Sequence, residues 1–298
     1  MTLVDAATLP WTLAVTGADL AWRLQNRPGL MAVLTVVMFV AIAASAWAVV
    51  CLWTRSPHIQ ALLRRPWSEP ETGRLLALLM FLWLMLWTGV SALHRTGAVD
   101  LDNPSTRIVL VVLQTFTLQW PVLGFVGLAL WRQTRSLHEA FGMSWWPRPR
   151  WILLAIVLYL ATLPLAGMAS WLARTLFPHG TDMSPQPVLE ILLETQSGPG
   201  RFYLLFLAIV LAPLSEEILF RGILLPVAAR RLGVATGLIM TSAVFAIIHA
   251  HAASAPVLFV LGISFGLAYL YTDTLWVPIL MHSVFNSASL VLVALLSS

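Results

Sequence analysis

The chain has 298 residues, 59% of them hydrophobic and only 10% charged, where a soluble domain carries about a quarter charged residues; a soluble globular protein is excluded and a polytopic membrane protein is indicated. All 17 basic residues are Arg, against 13 acids, for a net charge of +4; they are spread over many short loops, which excludes a dense nucleic-acid-binding cluster and suits loops facing anionic lipid. The one cysteine, Cys51, excludes an intrachain disulfide and any cysteine-based metal cluster.

In chain order, residues 1–22 lack the basic start of a cleavable signal peptide and are interrupted by Asp5 and Asp19. Residues 7–22, with Trp11 and Trp22, read equally as an interfacial helix or as a disordered lead-in. Uncharged runs long enough to span a bilayer follow at 31–53, 75–93, 108–131 and 151–173, with Pro121 an expected kink in the third and Pro164 inside the fourth. The segment 174–201 is polar and rich in Pro and Gly, with 188–195 able to form a short helix. Further spans are expected at 202–229, 232–249, 256–271 and 275–296, and between Leu232 and Ser298 the only formal charge is Asp273. There is no fixed-period repeat, no low-complexity tract and no alternation suited to a barrel. The expected architecture is all-α, with about eight transmembrane helices around an intramembrane catalytic cavity. It divides into an N-terminal region over 1–150 and a membrane domain over 151–298.

Loop arginines set an orientation. Arg55, Arg64, Arg65 and Arg74 occupy one loop, Arg132, Arg135, Arg148 and Arg150 another, and Arg230 and Arg231 a third. The alternate loops hold fewer, so the first set is expected on the cytoplasmic side and the N-terminus outside. Arg23 and Arg27 argue the other way. Trp53, Trp131, Trp151, Trp171 and Trp276 lie at span ends, as an aromatic belt requires.

Chemistry concentrates where charge is least expected. The stretch Pro213-Leu-Ser-Glu-Glu-Ile-Leu-Phe-Arg-Gly222 puts Glu216, Glu217 and Arg221 inside an apolar span, where each charge costs at least ~2.5–3.5 kcal/mol. Glu217 and Arg221 are four apart, in the favourable order for a helical ion pair, and in a low-dielectric site pairing is nearly obligatory. That leaves Glu216 about 100° round the helix. A plain reading makes all three one buried network that holds helices together. His249 ends the sixth span and His282 and Asn286 share one face of the eighth; each has a plain reading too, as a backbone hydrogen bond or as interhelical glue. His251 faces away from His249 and reads as interfacial. A Glu, two His and an Asn meeting in one cavity suit hydrolysis, in which the Glu activates water with help from His, and His and Asn donors stabilise an oxyanion. No Ser/Lys dyad, Gly-x-Gly-Asp or His-Glu-x-x-His motif is present.

Glu216-Glu217-x-x-x-Arg221, Phe245-x-x-x-His249 and His282-x-x-x-Asn286, in this order on three hydrophobic helices, resemble the three motifs of the CPBP family, which includes the type II CAAX prenyl endopeptidases and the bacterial bacteriocin-resistance (Abi) proteins. The resemblance covers about residues 203–292. It implies an eight-helix intramembrane protease with Glu216 as the catalytic glutamate acting with His249, with His282 and Asn286 binding the oxyanion or water, and with Glu217, Arg221 and Phe245 in support. No cofactor is expected; were Zn²⁺ used, Glu216, His249 and His282 would be its ligands, with a water in the fourth position.

The expected activity is therefore that of a glutamate-type intramembrane endopeptidase. Its expected partners are the bilayer and a membrane-associated protein or peptide, such as a sorting-signal protein, a signal-peptide remnant, or a bacteriocin or its leader; no nucleic acid is expected. The expected location is a bacterial inner membrane, and the unrecognised first half is expected to carry substrate or partner recognition. The alternative is a transporter or bacteriocin-immunity binding protein with a buried charged site and no catalysis.

Overall fold

The computed structural model describes residues 27–101, 103–176, 191, 192, 194, 195, 197–250 and 254–297. Among the described residues the regular elements are all helices: α1 (Pro28–Thr54), α2 (Ile59–Leu63), α3 (Glu69–Arg95), α4 (Pro104–Gln133), α5 (Leu137–Phe141), α6 (Pro149–Leu176), α7 (Gly198–Leu232), α8 (Val234–Ile248), α9 (Ala255–Thr272) and α10 (Trp276–Ser297). The readings of 7–22, of half of 188–195 and of His251 fall outside these residues.

Local chemistry fixes the helix starts. Ser68 and Ser136 accept from the backbone N–H three residues on, and Glu71 and Glu139 reach back to the cap N–H, so α3 and α5 each open on a capping box. Asn103 accepts from the Ser105 N–H to open α4. At the far end of α8, Ala250 turns left-handed (φ 51°) and stops the helix at His249.

The arginine-rich loops gather at one end of the bundle. Arg230, in the last turn of α7, donates to the carbonyls of Leu63, Arg65 and Trp67. The His58 N–H donates to Leu270 at 2.7 Å, and the Leu275 N–H to Phe141 at 3.1 Å. Trp276 Nε1 donates to Ser144 at 2.8 Å. At the opposite end Arg107 pairs with Glu194 at 2.9 Å, and Arg27 donates to Leu295. By the positive-inside rule the first end is the one expected on the cytoplasmic side. α1, beginning beside Leu295, then starts on the other side.

Inner and outer helices separate by burial. In α1 and α3 only 11% of the most apolar stretch is covered by protein, against 39% in α7 and 44% in α9. α1 lies on α6, where Ser45 Oγ reaches the Ala161 carbonyl at 2.8 Å. Between α7, α8 and α9 small residues bring backbones together: a Cβ on Gly237 would lie 2.8 Å from the Ala229 nitrogen, and one on Gly262 2.9 Å from Ser242 Cβ. Close approach of this kind is how membrane helices gain packing that water cannot drive.

The eight apolar runs all become helices, but not eight of equal reach. Six are long and apolar enough to cross a membrane; α8 and the apolar part of α10, Trp276–Leu292, are shorter. α8 has 15 residues, or ~22 Å at ~1.5 Å per residue, against a hydrocarbon core of ~30 Å. The apolar run began at Leu232, but Gly233 (φ 83°) breaks the helix there and hands the first two residues to α7 and the turn. Both short helices carry candidate site residues.

Candidate active site

α7 supplies the carboxylates, and it is not a uniform α-helix. π-helical segments at Leu207–Leu211 and Ile218–Leu224 flank the α-helical Ala212–Glu217. Each is followed two residues later by a proline, Pro213 or Pro226. Proline lacks the N–H that an α-helix would use there, and its ring presses on the carbonyl four residues back; a widened turn before it relieves both. π segments recur at functional sites because they re-aim side chains.

Glu217 is wholly buried, and Arg221 nearly so. Arg221 donates to Glu217 Oε1 at 2.9 Å and to the Gly262 carbonyl at 3.1 Å. Its guanidinium lies 4.5 Å from the Phe245 ring centroid, 5.2 Å from that of Phe265 and 5.8 Å from that of Phe220, so three aromatic faces take the place of water around the cation. The ion pair read from the spacing is present. Its partner list is longer than the spacing implied, because Glu217 Oε1 also lies 2.9 Å from His282 Nδ1. A carboxylate only accepts, so with Glu217 ionised the Nδ1 carries the proton and a neutral His282 presents an unprotonated Nε2.

Glu216 sits beside this pair and points elsewhere. Its side chain is 24% exposed, and its Oε2 lies 3.8 Å from His249 Nε2 and 4.0 Å from His282 Nε2. Neither separation is a hydrogen bond, and Oε2 is a buried acceptor with no hydrogen-bond partner among the described residues. His249 Nδ1 lies 2.7 Å from the Phe245 carbonyl; that oxygen can only accept, so Nδ1–H is fixed and Nε2 is turned on Glu216. The backbone hydrogen bond of the plain reading and the site-facing nitrogen of the functional reading thus belong to one ring. Asn286 donates from Nδ2 to the Ala208 carbonyl at 2.7 Å, inside the first π segment. That bond ties α10 to α7 and aims the amide.

Three of the expected groups therefore converge. Glu216, His249 and His282 share one point of closest approach, Asn286 follows one turn beyond His282, and Glu217 and Arg221 stand behind. Phe245 touches both sides of the arrangement, packing its edge against the His249 ring (4.7 Å) and the His282 ring (5.9 Å) while covering Arg221. Sequence reasoning missed Phe265, which stacks on His282 at 5.2 Å, and the carbonyls of Gly262 and Ala208. The pattern Gly262-x-x-x-Gly266 is the signal that would have marked α9 as a close neighbour; nothing local marks Ala208.

Residues 198–288 match the family model described as type II CAAX prenyl endopeptidase Rce1-like. No curated protein and no solved structure matches the chain. The matched stretch holds Glu216, Glu217, Arg221, Phe245, His249, His282 and Asn286, so over these residues the chain is similar to the type II CAAX prenyl endopeptidase Rce1-like family, in line with the resemblance of its motifs.

Proposed function

We propose that the protein is an intramembrane endopeptidase that hydrolyses a peptide bond of a membrane-associated protein or peptide with a water activated by Glu216. The observation that carries this reading is the convergence of Glu216 Oε2, His249 Nε2 and His282 Nε2 at 3.8 and 4.0 Å. Gaps of that size suit one bridging water better than direct contact. Glu216 takes a proton from the water as its oxygen bonds to the scissile carbonyl carbon. His249, fixed by Phe245, holds the water through Nε2. The carbonyl becomes an oxyanion, met by the Asn286 amide and by His282 when Nε2 is protonated. Glu216 then passes its proton to the leaving amine as the C–N bond breaks, giving a carboxylic acid and an amine without a covalent enzyme intermediate.

Glu217 is a positioning residue in this scheme. It holds the His282 ring from behind and keeps Arg221 neutralised. The cycle uses no metal. The matched family description supports a peptidase acting on prenylated C-terminal tails, and a bacterial substrate would share the membrane-held, extended C-terminal geometry rather than the prenyl group.

The test compares membrane proteomes of cells carrying wild type and Glu216→Gln. Uncleaved termini are expected to accumulate with the variant, and the rate on an isolated substrate is expected to fall by about 10²-fold or more. Undiminished cleavage by a folded Glu216→Gln protein would end the reading. Activity is expected to survive strong chelators; loss on chelation with recovery on Zn²⁺ would replace this cycle by a zinc one using Glu216, His249 and His282.

A further inference from the structure

On the cytoplasmic end, away from Glu216, a cavity of about 440 Å³ opens between the end of α4, the α5 helix and the loop that follows it. Leu130, Met143 and Trp145 form its apolar side, and Arg135, Ser136 and His138 its polar side. We propose that this cavity binds the phosphodiester headgroup of an anionic phospholipid, with the acyl chains running down the outer face of α4.

Charge comes first. Of the other arginines at this end, Arg65 is held by Asp273, Arg230 by backbone carbonyls and Arg231 by Glu69. Arg132, Arg135, Arg148 and Arg150 form no ion pair among the described residues. Glu139 accepts from the Ser136 N–H at 2.8 Å and its hydroxyl at 3.1 Å and keeps its negative charge, which Arg135 attracts; Glu71 accepts from Gln133 at 2.9 Å. Four arginines against Glu71 and Glu139 leave this end of α4 and the loop to α6 net positive, with Arg135 on the cavity itself, at the level where a cytoplasmic leaflet carries its anionic headgroups.

Position and shape come second. α4 is one of the membrane-crossing helices, and Trp131 at its end is 77% exposed while Trp145 and Trp146 are each 75% exposed. Indole rings left bare at a span end sit in the headgroup layer. An aromatic and aliphatic wall meeting an arginine at that depth matches the two halves of a lipid, not a free soluble anion. The walls are also held before any ligand arrives: Arg65 donates to the His138 and Glu139 carbonyls at 3.1 and 3.2 Å, and Trp276 Nε1 donates to Ser144 at 2.8 Å. Binding here orders little that is not already ordered.

The experiment is native mass spectrometry of the full chain in a nonionic detergent, titrated with dimyristoyl phosphatidylglycerol or with dimyristoyl phosphatidylcholine. One saturable equivalent of phosphatidylglycerol is expected, with no comparable retention of phosphatidylcholine. Arg135→Gln is expected to weaken that site about fivefold, the effect of one arginine near an anionic surface. Arg55→Gln, an exposed arginine of the same end outside the cavity, is expected to leave it unchanged. Equal losses in the two variants would show diffuse attraction and overturn the site. Equal retention of both lipids would show a purely apolar groove, and displacement by inorganic phosphate at matched concentration would show a free-anion site; each overturns the lipid assignment. Both positions are exposed, so a shared elution volume in gel filtration certifies the fold of both variants.

Discussion

Two adjacent carboxylates with opposite surroundings make the residue scale testable. Glu217 is buried against Arg221 and His282, so Glu217→Gln leaves a guanidinium in the interior without its counter-charge; such losses cost about 3–5 kcal/mol. Glu216 is partly exposed, and its nearest oxygen has no hydrogen-bond partner, so Glu216→Gln is expected to change stability by less than about 1 kcal/mol. Thermal melts of the two variants in detergent are expected to separate clearly, with Glu217→Gln far lower. Matching midpoints would mean that the two acids do not divide their work as described. The i, i+4 spacing made the Glu217–Arg221 pair readable from the chain, since it depends only on helix geometry. The Glu217–His282 bond joins residues 65 apart, and no local pattern encodes it. The sequence reading accordingly made Glu217 a brace for Arg221 alone, whereas it also orients an imidazole of the site.

Among the elements, α7 departs furthest from a regular helix. Hydrophobicity identified the span, and it identified all the other spans, because apolar run length is what a bilayer selects. It could not reveal the two π segments, since periodicity in an almost uniformly apolar run is faint at any repeat. The prolines were the one available signal. Pro121 and Pro164, however, lie inside α4 and α6 with no π segment there, so proline permits a widened turn without requiring it. If Pro213 and Pro226 sustain the widened turns, the double variant Pro213→Ala, Pro226→Ala is expected to relax toward a regular α-helix, turning Glu216 away from His249 and releasing the Ala208 carbonyl from Asn286. The expected outcome is a fall in cleavage rate of about tenfold or more with an unchanged or higher melting midpoint, since Pro inside a regular helix costs ~3 kcal/mol. Full activity would show that tertiary contacts, not the prolines, hold the π geometry.

At the scale of the whole molecule, the residues that match the family do not hold themselves in place. The turn that launches α10, and with it His282 and Asn286, is gripped by Arg65, which pairs with Asp273 and stands 5.5 Å from the Tyr269 ring centroid. Gly142 packs so tightly there that a Cβ would fall 1.7 Å from the Asp273 carbonyl oxygen, and its φ of +69° disfavours any other residue. Trp67, Leu75 and Phe141 share one core cluster with Ile223, Tyr269 and Leu275. The unmatched first part of the chain thus seats the arginine-rich ends of the site helices.

The brevity of α8 has a consequence for the surrounding lipid. A helix of 15 residues ending at His249 is ~8 Å short of an average hydrocarbon core, and hydrophobic mismatch of that kind is met by local thinning of the bilayer. Thinning beside His249 shortens the path by which water from the far side reaches Glu216, so acyl-chain length is expected to control the proposed hydrolysis. In proteoliposomes of monounsaturated phosphatidylcholines, cleavage is expected to slow steadily from 14-carbon to 20-carbon chains while the protein stays folded; a flat profile would show that water arrives by a route independent of the lipid.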